Sequence, residues 1–535
     1  MNSMIYNPQE EYDNKFKSLH MDNTAKYFDA LVDKSGIVAE ENRRTVNEYN
    51  EVNQKLKRVK KQLNRLRFFR VLMCITLILI PIVIIKISPK IELLKSELEQ
   101  AHKKIGDLHA IAEWQMTPLN NLFTDRMALE IIEATIPQLS FAPTLTVEQE
   151  SDMAVNYDFN EHNDMEQSAL DILSGNYNGN PFLFENKLIH KMGLEVYHGY
   201  KIIRWRDTYR GSDGKIHTRT RTDTLHATLT KPKPFYETQV LLNYCAQSGD
   251  ELSFSRDATH LDKKSEKEID RYVKRGERKL KRLTDKAIKE NRDFASLSNS
   301  DFEVLFDALD RTDEVQFRAL FTPLAQTNMV DLIRSQTGYG DDFNFIKQKR
   351  TNKIISKHSQ GRSMLPSPSL YASYSLDEAR ENFIRENANY FKAIYFDFAP
   401  LWAIPMYQER PTYSLSAIPE SPRCYSYKEC EALLNMIKPE LIVHPRTNTR
   451  AILKASFVDS RDNVDEISVC AYSYDVVRRV DYVSVHGGDG RWHKVAVPWD
   501  EYIPLERTNR LFVTSAELAQ NRSILAERNN LCIFN

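Results

Sequence analysis

The feature that most constrains this chain is VLMCITLILIPIVII at residues 71–85, a run with no charged side chain. Phe68, Phe69 and Ile87 extend it, and Arg70 and Lys86 can snorkel from its ends. The stretch then reaches about twenty residues, enough at ~1.5 Å per residue to cross a ~30 Å hydrocarbon core. It lies too deep in the chain for a cleaved signal peptide, and no small-residue cleavage site follows it. The expectation is one transmembrane helix at residues 68–88, and so a single-pass protein of the cell membrane. Before the run stand Lys55, Lys57, Arg58, Lys60, Lys61, Arg65 and Arg67; fewer lysines follow it, Lys90, Lys95, Lys103 and Lys104 among them. Basic flanks stay inside, so the N-terminus is expected in the cytoplasm and the C-terminal body outside the cell.

Apolar residues recur at spacings of three and four on both sides of the run. Tyr49, Val52, Leu56, Val59, Leu63 and Leu66 precede it; Ile91, Leu94, Leu98, Ala101, Ile105, Leu108 and Ala112 follow. Each set is the short end of what supports a coiled coil. One helix over residues 40–112, roughly 110 Å long with a kink at Pro81, accommodates both. Residues 1–67 then form an N-terminal helical or coiled-coil segment and residues 89–145 a helical stalk. The stalk suits a homo-oligomer, or an amphipathic helix folding back on its own domain.

Beyond it the composition shifts. Residues 146–173 are acidic, without lysine or arginine, and read as a linker. Residues 174–360 read as an α+β domain. Its clearest element is a hairpin, GYKIIRWRDTYR and IHTRTRTDTLHATLTK, whose β-branched and aromatic alternation flanks an Asp213-Gly214 turn. A separate strand, TQVLLNYC, follows Pro232 and Pro234. A charged helix is expected at 261–292, a helical stretch at 301–310 and a strand pair around 343–355. Residues 361–535 form a C-terminal β-rich α+β region, in which the apolar 393–407 reads as buried strand and loop, and a helix at 426–437 interrupts the strands. The fold class is α+β, a long N-terminal helix with one span followed by a mixed antiparallel sheet and helix body.

Composition excludes more than it assigns. Among 535 residues, 73 lysines and arginines face 74 aspartates and glutamates, so any affinity for nucleic acid or an anionic surface must be local. Six cysteines without a close CxxC pair suggest neither a disulfide framework nor a zinc site. GxSxG, P-loop, HExxH and kinase motifs are absent from the sequence. No cofactor, metal or catalytic residue is expected. The binding candidates are Arg204, Arg206, Arg219 and Arg221: strand alternation gives Arg204, Arg206 and Arg210 one face, and Arg219 and Arg221 likewise share one. Trp205, Tyr209 and the threonines are expected to pack opposite. Such a row could grip phosphate or an acidic polymer, or be a solvated sheet face that deters edge pairing. His486, Asp489 and His493 lie close in sequence, but GGDG between them is a good hairpin turn that explains the spacing by itself. Adjacent Asp341 and Asp342 would point opposite ways on a strand.

Four stretches within residues 174–356 carry a family likeness: SGNYNGNPFLFENKLIHKMGLEVYHG, the strand ending LHATLTK, FEVLFDALDRTDEVQFRALFTPLAQTNMVDLI, and DDFNFIKQKRTNKIIS. Together they resemble domain of unknown function 3137, a family of bacterial membrane-anchored proteins. Phe321 interrupts the family's LTP tripeptide, residues 261–292 look inserted, and the C-terminal third falls outside the match. The resemblance implies a membrane-attached domain and no activity. The sequence thus leads to a membrane-anchored binding or scaffold protein, with the bilayer and a protein or anionic polymer as partners. A membrane-attached hydrolase of unfamiliar type, or a cytoplasmic-facing nucleic-acid-binding protein, is the alternative.

Overall fold

The structure is a computed structural model that describes residues 4–75, 87–159, 164–212, 214–259, 261–290, 297–335, 339–412, 426–435, 437–461, 464–514 and 532–534. The chain divides into two compact units: a helical one, residues 10–137 and 365–395, and a sheet unit comprising residues 1–9, 138–364 and 396–535.

In the helical unit, α1 (Lys17–Ser35), α2 (Ala39–Ile75), α3 (Ser88–Asn120) and α4 (Met127–Thr135) meet the first part of a helix that runs Leu376–Trp402. α1 ends at Ser35 because Gly36 takes a left-handed φ of 68° that closes the helix. Its apolar face, Phe28 and Leu31, packs on Met116, Leu119, Phe123, Met127 and Phe383. His20 is buried here, its ring stacked 4.0 Å from that of Phe391, and burial lowers its pKa to about 4 against a hydrogen bond to the Asn387 backbone carbonyl that raises it.

The expected single helix over 40–112 is replaced by two limbs that lie side by side. Asn42 donates to Gln115 at 3.5 Å, Glu48 pairs with Lys104 at 2.6 Å, and Leu63 packs with Ile91 and Leu94. Partner numbers fall as residue numbers rise, so α2 and α3 run antiparallel. The heptad positions are apolar as read, but each seam is covered by the other limb. Among the described residues, no helix is long and apolar enough to cross a membrane. Most of the 71–85 run lies outside the described residues.

In the sheet unit every strand pairing is antiparallel. The larger sheet comprises β1 (Leu139–Phe141), β2 (Gln167–Tyr177), β3 (Asn180–Arg210), β4 (Ile216–Cys245), β5 (Ser253–Arg256), β6 (Phe343–Gln348) and β7 (Thr351–Ser356), ordered β1-β2-β3-β4-β7-β6-β5. A second sheet holds β8 (Ile452–Arg461), β9 (Val464–His486), β10 (Trp492–Thr514) and β11 (Cys532–Phe534), ordered β11-β10-β9-β8. The helix Tyr427–Leu434, capped by Ser426, sets Cys430, Leu433 and Leu434 against Ile467, Val469 and Leu511 of the second sheet.

Three expectations change here. The acidic 146–173 linker is instead α5 (Val147–Tyr157), closed by a Thr146–Gln149 capping box, followed by β2. Met153 and Tyr157 anchor α5 in a core with Leu145, Ile172 and Leu183, while Glu148 is exposed and Glu150 and Asp152 are half-buried. Residues 393–407 are not strand but the end of the Leu376–Trp402 helix and a short helical turn, buried throughout except at the half-buried Pro405 and Met406. The expected strand TQVLLNYC is the continuation of β4 through Pro232 and Pro234. The charged helix is found at Glu266–Glu290 and the strand pair at β6 and β7.

Candidate binding surface

The hairpin read from sequence is far longer than expected. β3 has 31 residues and β4 has 30, which at ~3.3 Å per residue extends each to roughly 100 Å. β2 pairs with β3 only as far as Ile189, and β7 pairs with β4 only over Leu242–Cys245. The remainder is a two-stranded ribbon, and such ribbons need backing to be stable.

The second sheet supplies it. Ile203, Leu225 and Ala227 on one face of the ribbon form a core with Val495 and Val497 of β10, edged by Tyr197, Trp205, Leu229, Val483 and Val485. Glycine permits the approach: a Cβ on Gly199 would lie 2.3 Å from the Ala496 carbonyl oxygen, and one on Gly487 would lie 2.6 Å from Ile203. Polar contacts fix the register. The Gly488 amide donates to Asp223 at 3.2 Å, Lys201 donates to the Lys494 carbonyl at 3.1 Å, and Lys231 pairs with Asp481 at 3.0 Å beside the Trp499 ring.

Strand alternation sends the other residues outward. Leu194 is 71% exposed, Ile202 64% and Tyr200 62%, with Met192 and Val196 beside them on the same face. Arg204 and Arg206 continue this row toward the turn. The register sets Thr218, Thr220, Thr222, Thr224, Thr228 and Thr230 opposite this row on the same face. The surface is thus apolar near the body, cationic near the tip, and lined along one side by hydroxyl groups.

The four candidate arginines do not form one patch. Arg219 and Arg221 lie opposite Asp207 and Trp205 in the ladder and project to the other face. Both pair with Asp207, at 3.4 and 2.9 Å, and the Arg219 guanidinium stands 5.1 Å from the Tyr209 ring centre. The threonines lie on the Arg204 face, not opposite it as expected. The apolar half of the surface, Met192 to Val196, was not singled out in the sequence; its signal is the i, i+2 recurrence of Met192, Leu194 and Val196.

Other clusters are structural. His493 bonds Asp489 at 3.0 Å and holds its carboxyl below the usual range, whereas His486 meets the Trp492 ring edge-on at 5.5 Å. The two histidines therefore do not converge on one site. Among the described residues no group of three or more His, Cys, Asp and Glu side chains is placed to hold a metal. Asp341 and Asp342 lie just before β6 and not on a strand as expected, and they take different partners: Asp341 binds Arg256, and Asp342 binds His358 at 2.8 Å. His358 also reaches Asp397 at 3.3 Å, and Asp397 is further held by Arg362 at 2.9 Å and by the Ser359 hydroxyl. Burial alone would lower the His358 pKa; the Asp397 charge and the hydrogen bonds to Asp342 and Asp397 outweigh it and raise it to about 9. An imidazolium held on both nitrogens is a lock and not a general base. Around a cavity of about 30 Å³, Glu185 meets Lys428, Lys187 (3.1 Å) and Asn243 (2.7 Å), and Glu431 meets Lys454 (2.8 Å). That is room for about one water molecule. Cys245 and Cys430 are buried thiols and Cys470 is half-buried, and all three are unbridged.

No family model, curated protein or solved structure matches this chain.

Proposed function

We propose that this protein is a membrane-attached binding or scaffold protein whose binding surface is the outer face of the β3/β4 ribbon. The observation that carries the reading is the continuity of exposed Leu194, Tyr200 and Ile202 with Arg204 and Arg206 on a ribbon stiffened from behind. Contiguous exposed apolar side chains on a soluble face mark contact sites, and Tyr and Arg dominate the energetics of such contacts. The partner this chemistry fits is an extended acidic polymer with apolar groups near its anionic ones. The likeness to domain of unknown function 3137 supports membrane attachment and adds no activity. The apolar sequence at 71–85 supports it independently.

Fluorescent polyglutamate serves as the test probe for the full chain. Binding should weaken with salt and should be lost in Arg204→Glu/Arg206→Glu. Arg219→Glu/Arg221→Glu, whose native side chains are engaged with Asp207, should bind nearly as well as the parent. Equal loss in both pairs, or no binding by the parent, rejects this surface. Preference for single-stranded DNA over polyglutamate would move the assignment to nucleic acid.

A further inference from the structure

The antiparallel packing of α2 on α3 bears on how the chain meets a membrane, an inference that rests on the membrane attachment proposed above. A helix that crosses a bilayer delivers the residues before and after its apolar run to opposite aqueous phases. Here those residues touch: Leu63 packs with Ile91 and Leu94, and Glu48 pairs with Lys104. Both limbs lead away from the apolar sequence in the same direction.

A second observation comes from the described end of α2. Phe68 is 67% and Phe69 52% exposed, and with Lys57, Lys60, Lys61 and Arg65 they line an open groove of about 570 Å³. Aromatic rings at the apolar end and ammonium groups one to three turns back match the acyl boundary and headgroup layer of an anionic leaflet. We propose that the Phe68/Phe69 end of α2 seats on one face of an anionic bilayer, with both described limbs, and hence the chain before and after them, on the same side.

Two measurements on the full-length chain test this. Single cysteines placed at Glu51 and Glu99, exposed sites on the two limbs, are probed with a membrane-impermeant maleimide in intact and permeabilised cells, in a background with Cys74, Cys424, Cys470 and Cys532 changed to serine and the buried Cys245 and Cys430 retained. Both positions should label alike in either state. One position labelled and the other protected until permeabilisation would overturn the proposal in favour of a crossing helix, leaving membrane attachment intact. Flotation with protein-free vesicles should require phosphatidylserine and fall at least tenfold in Lys57→Glu/Lys60→Glu/Lys61→Glu. Recovery with cell membranes but not with vesicles would hand the groove to a protein receptor and overturn it, and failure to associate with either would remove the attachment reading itself.

Discussion

His358 gives a stability change that can be worked out from its surroundings. Its Nδ1 meets Asp342 at 2.8 Å, its Nε2 meets Asp397 at 3.3 Å, and the Tyr339 ring stands edge-on 4.4 Å away. Arg362 is the other cation on Asp397. The imidazole titrates near 6.5 when unfolded and at about 9 in the fold. At ~1.4 kcal/mol per unit, the difference caps the contribution of its proton at about 3 kcal/mol. Because the folded value is raised, this stabilisation is present in full below about pH 6.5 and disappears as pH rises through about 9. Asp397 works in the opposite sense. Burial would raise its pKa, but Arg362 and His358 hold it far below the usual carboxylate range, so its stabilisation is lost only as the solution turns strongly acid. The assay is urea unfolding followed by tryptophan fluorescence between about pH 6 and pH 9.5, comparing the parent chain with His358→Gln. The parent should be more stable at the acid end, and the gap should shrink by about 3 kcal/mol toward the alkaline end. Asp342→Asn should shift the parent's decline to lower pH. A gap that stays constant across the range would refute the charge assignment, since a neutral histidine would lose only packing.

Two further perturbations test other parts of the sheet unit. Lys428→Met leaves Glu185 fully buried with only Lys187 and Asn243 beside it and should cost ~3–5 kcal/mol in urea unfolding; adding Glu185→Met should recover most of that, and an additive double loss would contradict the pairing. Gly199→Val should pry the ribbon from β10, because its Cβ would fall 2.3 Å from the Ala496 carbonyl oxygen. Hydrogen exchange should then accelerate across residues 480–498 while β6 and β7 stay protected, and unchanged protection would mean that the two hairpins do not depend on this contact.

Local signals in the sequence carried far, and partner identity did not. The Asp213-Gly214 turn and the alternation around it predicted the hairpin, but its length was lost at Pro232 and Pro234, which looked like strand breakers. A proline is tolerated in a strand whose missing N–H would face an open edge, and β4 has one there. The acidic residues of α5 hid a helix announced by T-x-x-Q at Thr146 and Gln149. Residues 393–402 are apolar apart from the ion-paired Asp397 because they are buried all round, so they show no helical period. The heptads flanking the 71–85 run were legible, yet a seam does not say whether its partner is parallel or antiparallel, or in the same chain. The arginines failed as a single site for a similar reason: residue type was visible, but the register that sends Arg219 and Arg221 to Asp207 was not.

Among the described residues, the two stacked hairpins leave long backbone edges beyond the reach of β2, β7, β8 and β11. An uncovered edge is a template on which another chain can add a strand, the first step of fibrous aggregation. Each hairpin has two prolines in its second strand, Pro232 and Pro234 in β4 and Pro498 and Pro504 in β10. An incoming strand would find no amide to accept at those positions, so recruitment by strand addition is blocked there. The prolines guard one edge of each hairpin, whereas the β3 edge beyond β2 and the β9 edge beyond β8 carry none, so a strand added to this arm would be steered to those two edges.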